Sequence, residues 1–298
     1  MPEGNAVFLD TSIQIARIVH NEEIKVRIAW RISQYDLTVS SEVVKQEFKR
    51  RLLKEAQYLL NQLNRLNSLQ KVMRHVIDNL PPQQNRKRNI CLQTLQTIFE
   101  GRDDSDLTER AKSSLRMLLR FGLNDFEDNV KHVERIAGCA CSKFPVIERK
   151  PYKDYDLGKD NCSKVAENCG IAAFLVSRKE LASRILDHLR SLDAGRKTEE
   201  LQRAEQFLET YLESPGDAPK GDPCLKVGDL IIALESSNIP EFYTLNAKES
   251  QHFCRSLGQS MIVRPKYYIH EDIICLKGHQ DWVGLLAGRH AVSSDTQD

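Results

Sequence analysis

The chain opens with a pattern of buried strand and amphipathic helix. Residues 5 to 9 form a short apolar run, and "TSIQIARIV" after it carries apolar side chains at helical spacing. This pattern predicts a strand followed by a helix capped by Thr11 or Ser12. The next segment, "NEEIKVRIAWRISQYD", predicts a second helix capped by Asn21, and the β-branched "LTVSS" predicts a second strand.

A third helix, "SEVVKQEFKRRLL", begins at Ser40 or Ser41 and continues as a heptad pattern. The pattern predicts one helix from about residue 42 to residue 80, roughly 55 Å long at 1.5 Å per residue. Two arrangements satisfy it: a helical hairpin within the chain, or a coiled coil with a second copy. We favour the hairpin because more helices follow at once. The apolar seam consists of Leu52, Leu59, Leu66, Met73 and Leu80, with Ala56, Leu63 and Ile77 between them.

The middle of the chain reads as helical, with no recognisable strand between Leu52 and Leu212. Four more helices are predicted there: "NICLQTLQTIFEG", the segment 106–138, and the segments 161–192 and 196–213. Asp106 and Glu109 have the spacing of a capping box. After a run rich in Pro, Gly and Asp, helix "LKVGDLIIALESSN", strand "FYTL", helix "AKESQHFCRSLG" and strand "SMIVRP" restore the alternation.

Strands that alternate with helices at both ends of the chain indicate an α/β fold with a central, mainly parallel sheet, interrupted by a large all-helical insertion. The predicted division is an α/β domain in two parts, a helical insertion, a linker and a disordered tail. These segments span residues 1–51 and 224–290 (the α/β domain), 52–213 (the insertion), 214–223 (the linker) and 291–298 (the tail).

Composition narrows the setting of the protein. The 298 residues include no run of eighteen apolar positions, so we expect no membrane span, and the N-terminus lacks the pattern of a secretion signal. Eight scattered cysteines favour reduced thiols and a cytoplasmic location. The net charge is only +1, but residues 45–88 hold eleven Lys or Arg against three acidic residues, an excess of eight positive charges. Such a basic segment suits a polyanionic partner.

Four acidic residues stand at places where an α/β fold binds ligands. Asp10 directly follows the first strand, where a desolvated carboxylate is costly without a compensating partner. Asp229 begins a strongly apolar helix, and Glu249 begins the helix after "FYTL". Glu47 lies among apolar residues of the third helix, although its basic neighbours also suit a solvated salt bridge.

The segments "VFLDTS", "SSEVVKQEF", "KVGDLIIAL" and "YTLNAKESQHF" resemble, in this order, the four motifs of the PIN-domain nuclease family. The resemblance covers about a third of the chain and implies a three-layer PIN-like domain. It leaves the long insertion uninterpreted. It places the family's site residues on Asp10, Glu47, Asp229 and Asn246, with Glu249 as a further acid and with Thr11, Ser12 and Thr244 in support.

That family implies a metal-dependent endonuclease. Carboxylates from separate elements are suited to a pair of Mg²⁺ or Mn²⁺ ions that promote phosphodiester hydrolysis. On this reading Asp10 and Asp229 are the inner metal ligands, Glu47 and Glu249 complete the site partly through water, and Asn246 or Thr244 orients ligands or a phosphate. Asp10 is then expected to have no protein partner when no metal is bound, because its partner is the metal.

The resemblance also implies RNA rather than DNA as substrate, a choice that the residues themselves leave open. It further implies a regulatory protein or effector complex, as in toxin–antitoxin or antiviral systems. The basic segment supplies candidate nucleic-acid contacts, since phosphate neutralisation dominates non-specific affinity. The candidates are Lys49, Arg50, Arg51, Arg86, Lys87 and Arg88.

Other interpretations of the same residues stay open at this point. Asp10 and Asp229 have the positions of ordinary helix caps. A neutral Asn246 fits a catalytically inactive PIN-like scaffold that binds RNA or protein through the basic helices. A structural helical adaptor would be supported if the four acids proved to lie far apart.

Two further clusters suggest metals more weakly. Cys139, Cys141, Cys162 and Cys169 have a spacing that suits a structural zinc site. The alternative is that Cys162 and Cys169, seven residues apart on one helix face, are buried free thiols. His270, Glu271 and Asp272 also cluster, but "YYIHEDIICL" alternates like an additional strand.

Overall fold

The computed structural model describes residues 5–81, 84–99, 106–136, 147–149, 154–156, 170–213, 226–263 and 272–275. The first elements are β1 (Ala6–Leu9), α1 (Thr11–Val19), α2 (Glu22–Ser33), β2 (Leu37–Ser41) and α3 (Glu42–Phe48). A π-helical segment (Lys49–Leu53) joins α3 to α4 (Lys54–Leu66). Next come α5 (Leu69–Asn79), α6 (Asn85–Phe99), α7 (Leu107–Asp128), β3 (His132–Glu134), β4 (Ile147–Arg149) and β5 (Asp154–Asp156).

The later elements return to the sheet. They are α8 (Ile171–Ser177), α9 (Lys179–Ser191), a 3₁₀ turn (Ala194–Arg196), α10 (Glu199–Glu213) and α11 (Gly228–Ser236). The last four are β6 (Glu241–Thr244), α12 (Ala247–Leu257), β7 (Ser260–Val263) and β8 (Asp272–Cys275). The predicted linker 214–223 and tail 291–298 lie outside the described residues.

A central sheet with strand order β3-β2-β1-β6-β7-β8 confirms the predicted α/β fold. Five strands run parallel, and β8 pairs antiparallel with β7. Phe8 in β1 lies opposite Val39 in β2 and Phe242 in β6. Because β1 stands between the two halves of the sheet, the strand order reverses beside it. A crevice at the carboxyl ends of the strands is the usual ligand position in such sheets.

Strand β1 at the centre of the sheet is buried along its whole length. Val7, Phe8 and Leu9 have no exposed surface, which explains why β1 reads as a continuous apolar run rather than an alternating one. The Phe8 and Phe242 rings stack at 5.5 Å between centroids and tie β1 to β6. Ser41 caps α3 by accepting a hydrogen bond from the Val44 N–H at 3.2 Å, as its sequence position predicts.

The prediction of one helix over residues 42–80 is wrong, whereas the hairpin is confirmed. Asn67 adopts a left-handed conformation (φ 43°), which ends α4, and Ser68 then caps α5. The two helices pack against each other and against α6 and α7. Leu52, Leu59 and Leu63 are fully buried, so the first half of the heptad seam packs inside this chain rather than against a second copy, whereas Ile77 in its second half is 49% exposed.

The predicted absence of strands between Leu52 and Leu212 is also wrong. The helix predicted over 106–138 ends at Asp128, and β3 follows it as an edge strand paired parallel with β2. The insertion is therefore not all-helical, because it contributes β3 to the central sheet and β4 and β5 to a separate antiparallel pair. The helix predicted over 161–192 is described from Ile171 onward and is divided into α8 and α9 at Arg178.

The inserted helices share one hydrophobic cluster with the sheet. Helix α9 packs on α12, and α10 packs on α9, so this part of the insertion is attached to the second half of the α/β domain. Asp106 precedes α7 without a side-chain cap, and Glu109 instead forms an ion pair with Lys112. No helix in the described part of the chain is both long and apolar enough to cross a bilayer.

Candidate metal and nucleic-acid site

Asp10 lies at the carboxyl end of β1, where the strand order reverses. Its N–H donates to the Tyr243 carbonyl at 3.1 Å, which extends the pairing of β1 with β6. The residue is only 7% exposed. Its Oδ2 accepts hydrogen bonds from the Ser12 hydroxyl at 2.7 Å and the Thr244 hydroxyl at 2.8 Å. The expectation that Asp10 has no protein partner is therefore wrong: two hydroxyls compensate the buried carboxylate.

The same two hydroxyls connect three elements of the fold. Ser12 Oγ also accepts from the Leu245 N–H at 2.9 Å, and Thr244 Oγ1 accepts from the Asn246 N–H at 2.8 Å. Each hydroxyl thus accepts a hydrogen bond from a backbone N–H and donates a hydrogen bond to the Asp10 carboxylate. This network links the start of α1 to the turn between β6 and α12, and it fixes the orientation of the Asp10 carboxylate.

Glu47 reaches the same place from α3. It is 9% exposed, accepts a hydrogen bond from the Thr11 hydroxyl and forms an ion pair with Arg51 one turn later. The alternative of a solvated salt-bridge partner does not describe this residue, because its carboxylate is buried beside α1. Thr11 therefore aligns Glu47 with the end of β1.

Asp229 lies in the first turn of α11 and is half-buried. Its Oδ2 faces the Asn246 side chain, whose Nδ2 lies 3.4 Å away. The helix-cap interpretation is right about the position of Asp10 but not about a capping bond, and it is wrong for Asp229. Asp10 occupies the N-cap position of α1 without a side-chain cap bond, and Val227 occupies the N-cap position of α11. The prediction that Thr11 or Ser12 caps α1 is wrong for the same reason.

Three of the acids interact electrostatically. Burial raises the pKa of Asp10, and the nearby charge of Glu47 raises it further. Burial is also the largest cause that raises the pKa of Asp229, to about 7, followed by the charges of Glu47 and Asp10, while Arg51 opposes the shift. Partly desolvated carboxylates that repel one another are stabilised by a proton or by a cation. The other three acids are close enough to affect the pKa of Asp229, so the large separation that would have supported a structural helical adaptor is not found.

Glu249 stands at the edge of this group. It is 9% exposed, and its pKa is raised first by burial and then by Glu200 of α10, while a hydrogen bond from the Thr198 hydroxyl lowers it. Its charge raises the pKa of Asp229 less than the charges of Glu47 and Asp10 do. Within the described residues, no three Asp, Glu, His or Cys side chains converge on one cation position.

A cleft of about 340 Å³ opens beside Glu47 and Asp229. Five basic residues line it, and they come from the π-helical segment, α6, α10 and the approach to α11. Sequence reasoning identified three of them and missed one before α11 and one on α10, since nothing local to α10 reports which of its faces meets the α/β domain. The five are Arg50, Arg51, Arg86, Arg203 and Lys226, of which the last two were missed.

The other three predicted nucleic-acid contacts do not line this cleft. Lys49 is 3% exposed, and the Arg88 guanidinium donates to the Asn85 side chain at 2.8 Å. The Lys87 ammonium lies 3.3 Å from the Glu55 carboxylate and 4.1 Å from the centroid of the Tyr58 ring. Some cations of the basic segment therefore line the cleft, and others make contacts within the insertion.

The π-helical segment explains part of this division. A π turn adds a residue to the helical repeat and is often found at functional sites. Here it buries Leu52 and Leu53 completely, while Arg50 and Arg51, three and four residues after Glu47, line the cleft. The turn thus combines core packing with a basic rim beside the acids.

Comparison with protein-family models, curated proteins and solved structures finds no match for this chain. The resemblance to PIN domains is therefore not supported by any relative.

Neither weaker metal candidate lies within the described residues as a set. The four cysteines of the zinc alternative, Cys139, Cys141, Cys162 and Cys169, are outside them, as are His270 and Glu271. Asp272 begins β8, so the additional strand expected in that segment is present.

We expect Thr244→Val to destabilise the fold by about 1–3 kcal/mol at neutral pH. The substitution preserves shape but removes a hydroxyl that donates to the buried Asp10 carboxylate and accepts from the Asn246 N–H. Urea unfolding measures the effect. Thr97→Val is the matched control, since the Thr97 hydroxyl donates within its own helix, to the Gln93 carbonyl, and lies away from the acids. Equal stability of the two variants would contradict the network around Asp10.

Proposed function

We propose that this protein is a metal-dependent endonuclease with a PIN-like domain that hydrolyses phosphodiester bonds, in RNA rather than DNA. One observation supports the proposal most strongly. Asp10 after β1, Glu47 of α3 and Asp229 of α11 interact electrostatically beside the point where the strand order reverses, and two of them line a cleft with five basic residues. Acids surrounded by cations suit a substrate with a negatively charged backbone.

The chemistry of the donor set fits a divalent metal, whereas the three acids do not converge on one cation position in the described part of the chain, so a bound ion would have to draw them together. The three acids offer only oxygen ligands, which Mg²⁺ and Mn²⁺ prefer, and their mutual repulsion is relieved by positive charge. We assign Asp10 and Asp229 as inner ligands and Glu47 as a third, with Glu249 acting from the edge through water. When bound, the metal would supply Lewis-acid activation of water and stabilise charge on the leaving oxygen.

The protein residues around the acids have positioning roles. Ser12 and Thr244 hold the Asp10 carboxylate, Thr11 holds Glu47, and Asn246 faces Asp229. Such outer contacts fix the orientation of metal-binding side chains and are costly to lose.

The substrate and the regulation are proposed from the resemblance. PIN domains favour RNA, and nucleases of that kind are held in check by a partner protein, as in toxin–antitoxin or antiviral systems. The basic lining of the cleft supports a polyanion without distinguishing RNA from DNA.

A cleavage assay on labelled nucleic acids tests the proposal. The full chain is incubated with single-stranded RNA, structured RNA or DNA, in Mn²⁺, in Mg²⁺ or with a chelator. We expect metal-dependent cleavage of RNA that stops when the chelator is added. Binding of RNA without cleavage in either metal would contradict the nuclease and favour the inactive scaffold.

A further inference from the structure

We propose that the inserted helix α10 forms a second wall of the substrate cleft, where Arg203, together with Lys226 before α11, binds backbone phosphates of a polynucleotide. This inference rests on the proposed function and places Arg203, which the family resemblance does not cover, at the substrate cleft. Arg203 lies more than 150 residues from Arg50 and Arg51 along the chain, yet all three line the same cleft.

The position of α10 is fixed by packing. Leu201 and Ala204 are buried, and α10 packs on α9, which in turn packs on α12. At its amino end, the Thr198 hydroxyl accepts from the Leu201 N–H at 3.3 Å, and it also bonds to Glu249 of α12. The helix is thereby attached to the α/β domain beside the acids, so the position of its exposed face relative to the cleft is fixed.

Arg203 is available to a phosphate on this face. Its guanidinium pairs with Glu199 one turn earlier, and the side chains of the two residues are 50% and 72% exposed. An exposed pair of this kind contributes little stability, so a phosphate that accepts two guanidinium hydrogen bonds can replace the carboxylate. The neighbouring Glu200 also lines the cleft and repels an anion there, which gives the same wall one residue of each sign.

The distribution of the cations indicates a polymer rather than a mononucleotide. The five basic residues come from four separate parts of the chain, and the cleft holds only about 340 Å³. One phosphate group contacts few of them, whereas a strand that crosses the cleft contacts cations from several elements. Affinity is therefore expected to rise with strand length.

Binding measured without metal tests this wall independently of cleavage. The probe is a labelled, unstructured RNA of about twenty nucleotides, titrated by fluorescence anisotropy in a chelator across a range of salt concentrations. A DNA of the same sequence and a dinucleotide are measured in parallel. Circular dichroism spectra and melting curves of each variant confirm that it is folded.

Arg203→Ala is expected to lower affinity about 5- to 10-fold and to reduce the slope of log affinity against log salt by about 0.7, the value for one lost phosphate contact on a single strand. Lys226→Ala is expected to reduce the slope similarly, and Arg203→Lys to retain it. Glu200→Gln is expected to tighten binding, because it removes an acid from the same wall. Arg74→Ala is the matched control, an exposed cation of α5 that does not line the cleft.

The outcomes separate this inference from the proposed function. If Arg203→Ala behaves like Arg74→Ala, or if the wild type does not bind the RNA, the α10 wall is not a polynucleotide site, whether or not the protein cleaves. If Arg203→Ala weakens binding but no metal supports cleavage, the wall is established and the nuclease proposal fails. Equal affinity for the dinucleotide and the longer RNA would contradict contacts to several phosphates.

Discussion

Asp10→Asn is expected to lower metal-dependent cleavage by about 10³-fold or more while the protein stays folded. The amide preserves the shape of the side chain, and its oxygen can still accept hydrogen bonds from Ser12 and Thr244. What it removes is the negative charge that a divalent cation requires. Cleavage rates at saturating Mn²⁺, with the folded state checked by circular dichroism, measure the effect.

A matched control distinguishes loss of a ligand at the site from the loss of one negative charge anywhere in the protein. Asp128→Asn makes the same change at the exposed end of α7 and is expected to leave the cleavage rate unchanged. Cleavage by Asp10→Asn at the wild-type rate would exclude Asp10 from the reaction. Unfolding of Asp10→Asn, but not of Asp128→Asn, would instead assign Asp10 a structural role.

Asp229→Asn is expected to stabilise the metal-free protein above pH 7, although it removes a proposed ligand. The pKa of Asp229 is raised from 3.8 to about 7 in the folded state, chiefly by burial and by Glu47. A raised folded-state pKa gives stability that is present below the unfolded value and is lost as pH rises through the folded value. Between about pH 4 and pH 7 the free energy of unfolding of the wild type therefore falls by on the order of 2–4 kcal/mol, whereas that of Asp229→Asn does not.

A bound metal is expected to reverse this difference in stability between the wild type and Asp229→Asn. A divalent cation that binds only the folded state favours ionised Asp229 and raises the melting temperature of the wild type at about pH 8. The melting temperature of Asp229→Asn is expected to respond much less. Thermal unfolding of both proteins and of Asp128→Asn, at about pH 5 and pH 8 with and without Mn²⁺, tests both statements. A pH dependence shared by wild type and Asp229→Asn, with no effect of Mn²⁺ on either, would contradict the acidic cluster as a cation site.

Local pattern was sufficient for the elements that frame the site. The opening strand, the capped helices after Asn21 and Ser41, and the alternation from α11 to β7 all follow from side-chain periodicity and cap chemistry within a few residues. Asp10 could be placed at a strand end for the same reason. These features depend on neighbours in sequence, so one sequence is enough to predict them.

Local pattern failed where a break or a pairing depends on distant contacts. The heptad repeat continues past Asn67, but the helix turns back there because α5 packs against α4 and against α6 and α7. Strand β3 has only three residues, too few for a periodic signal, and it exists because the edge of β2 offers it hydrogen bonds.

The sequence by itself determined the α/β class, the order of the main elements and the acids at their ends, because those properties are written in local spacing. Only the tertiary structure decided that two hydroxyls hold Asp10, that Arg86 lines the cleft while Lys87 pairs with Glu55, and that α10 brings Arg203 there. The physical reason is that periodicity tells which face of a helix is apolar, whereas the packing of whole elements selects the faces that meet.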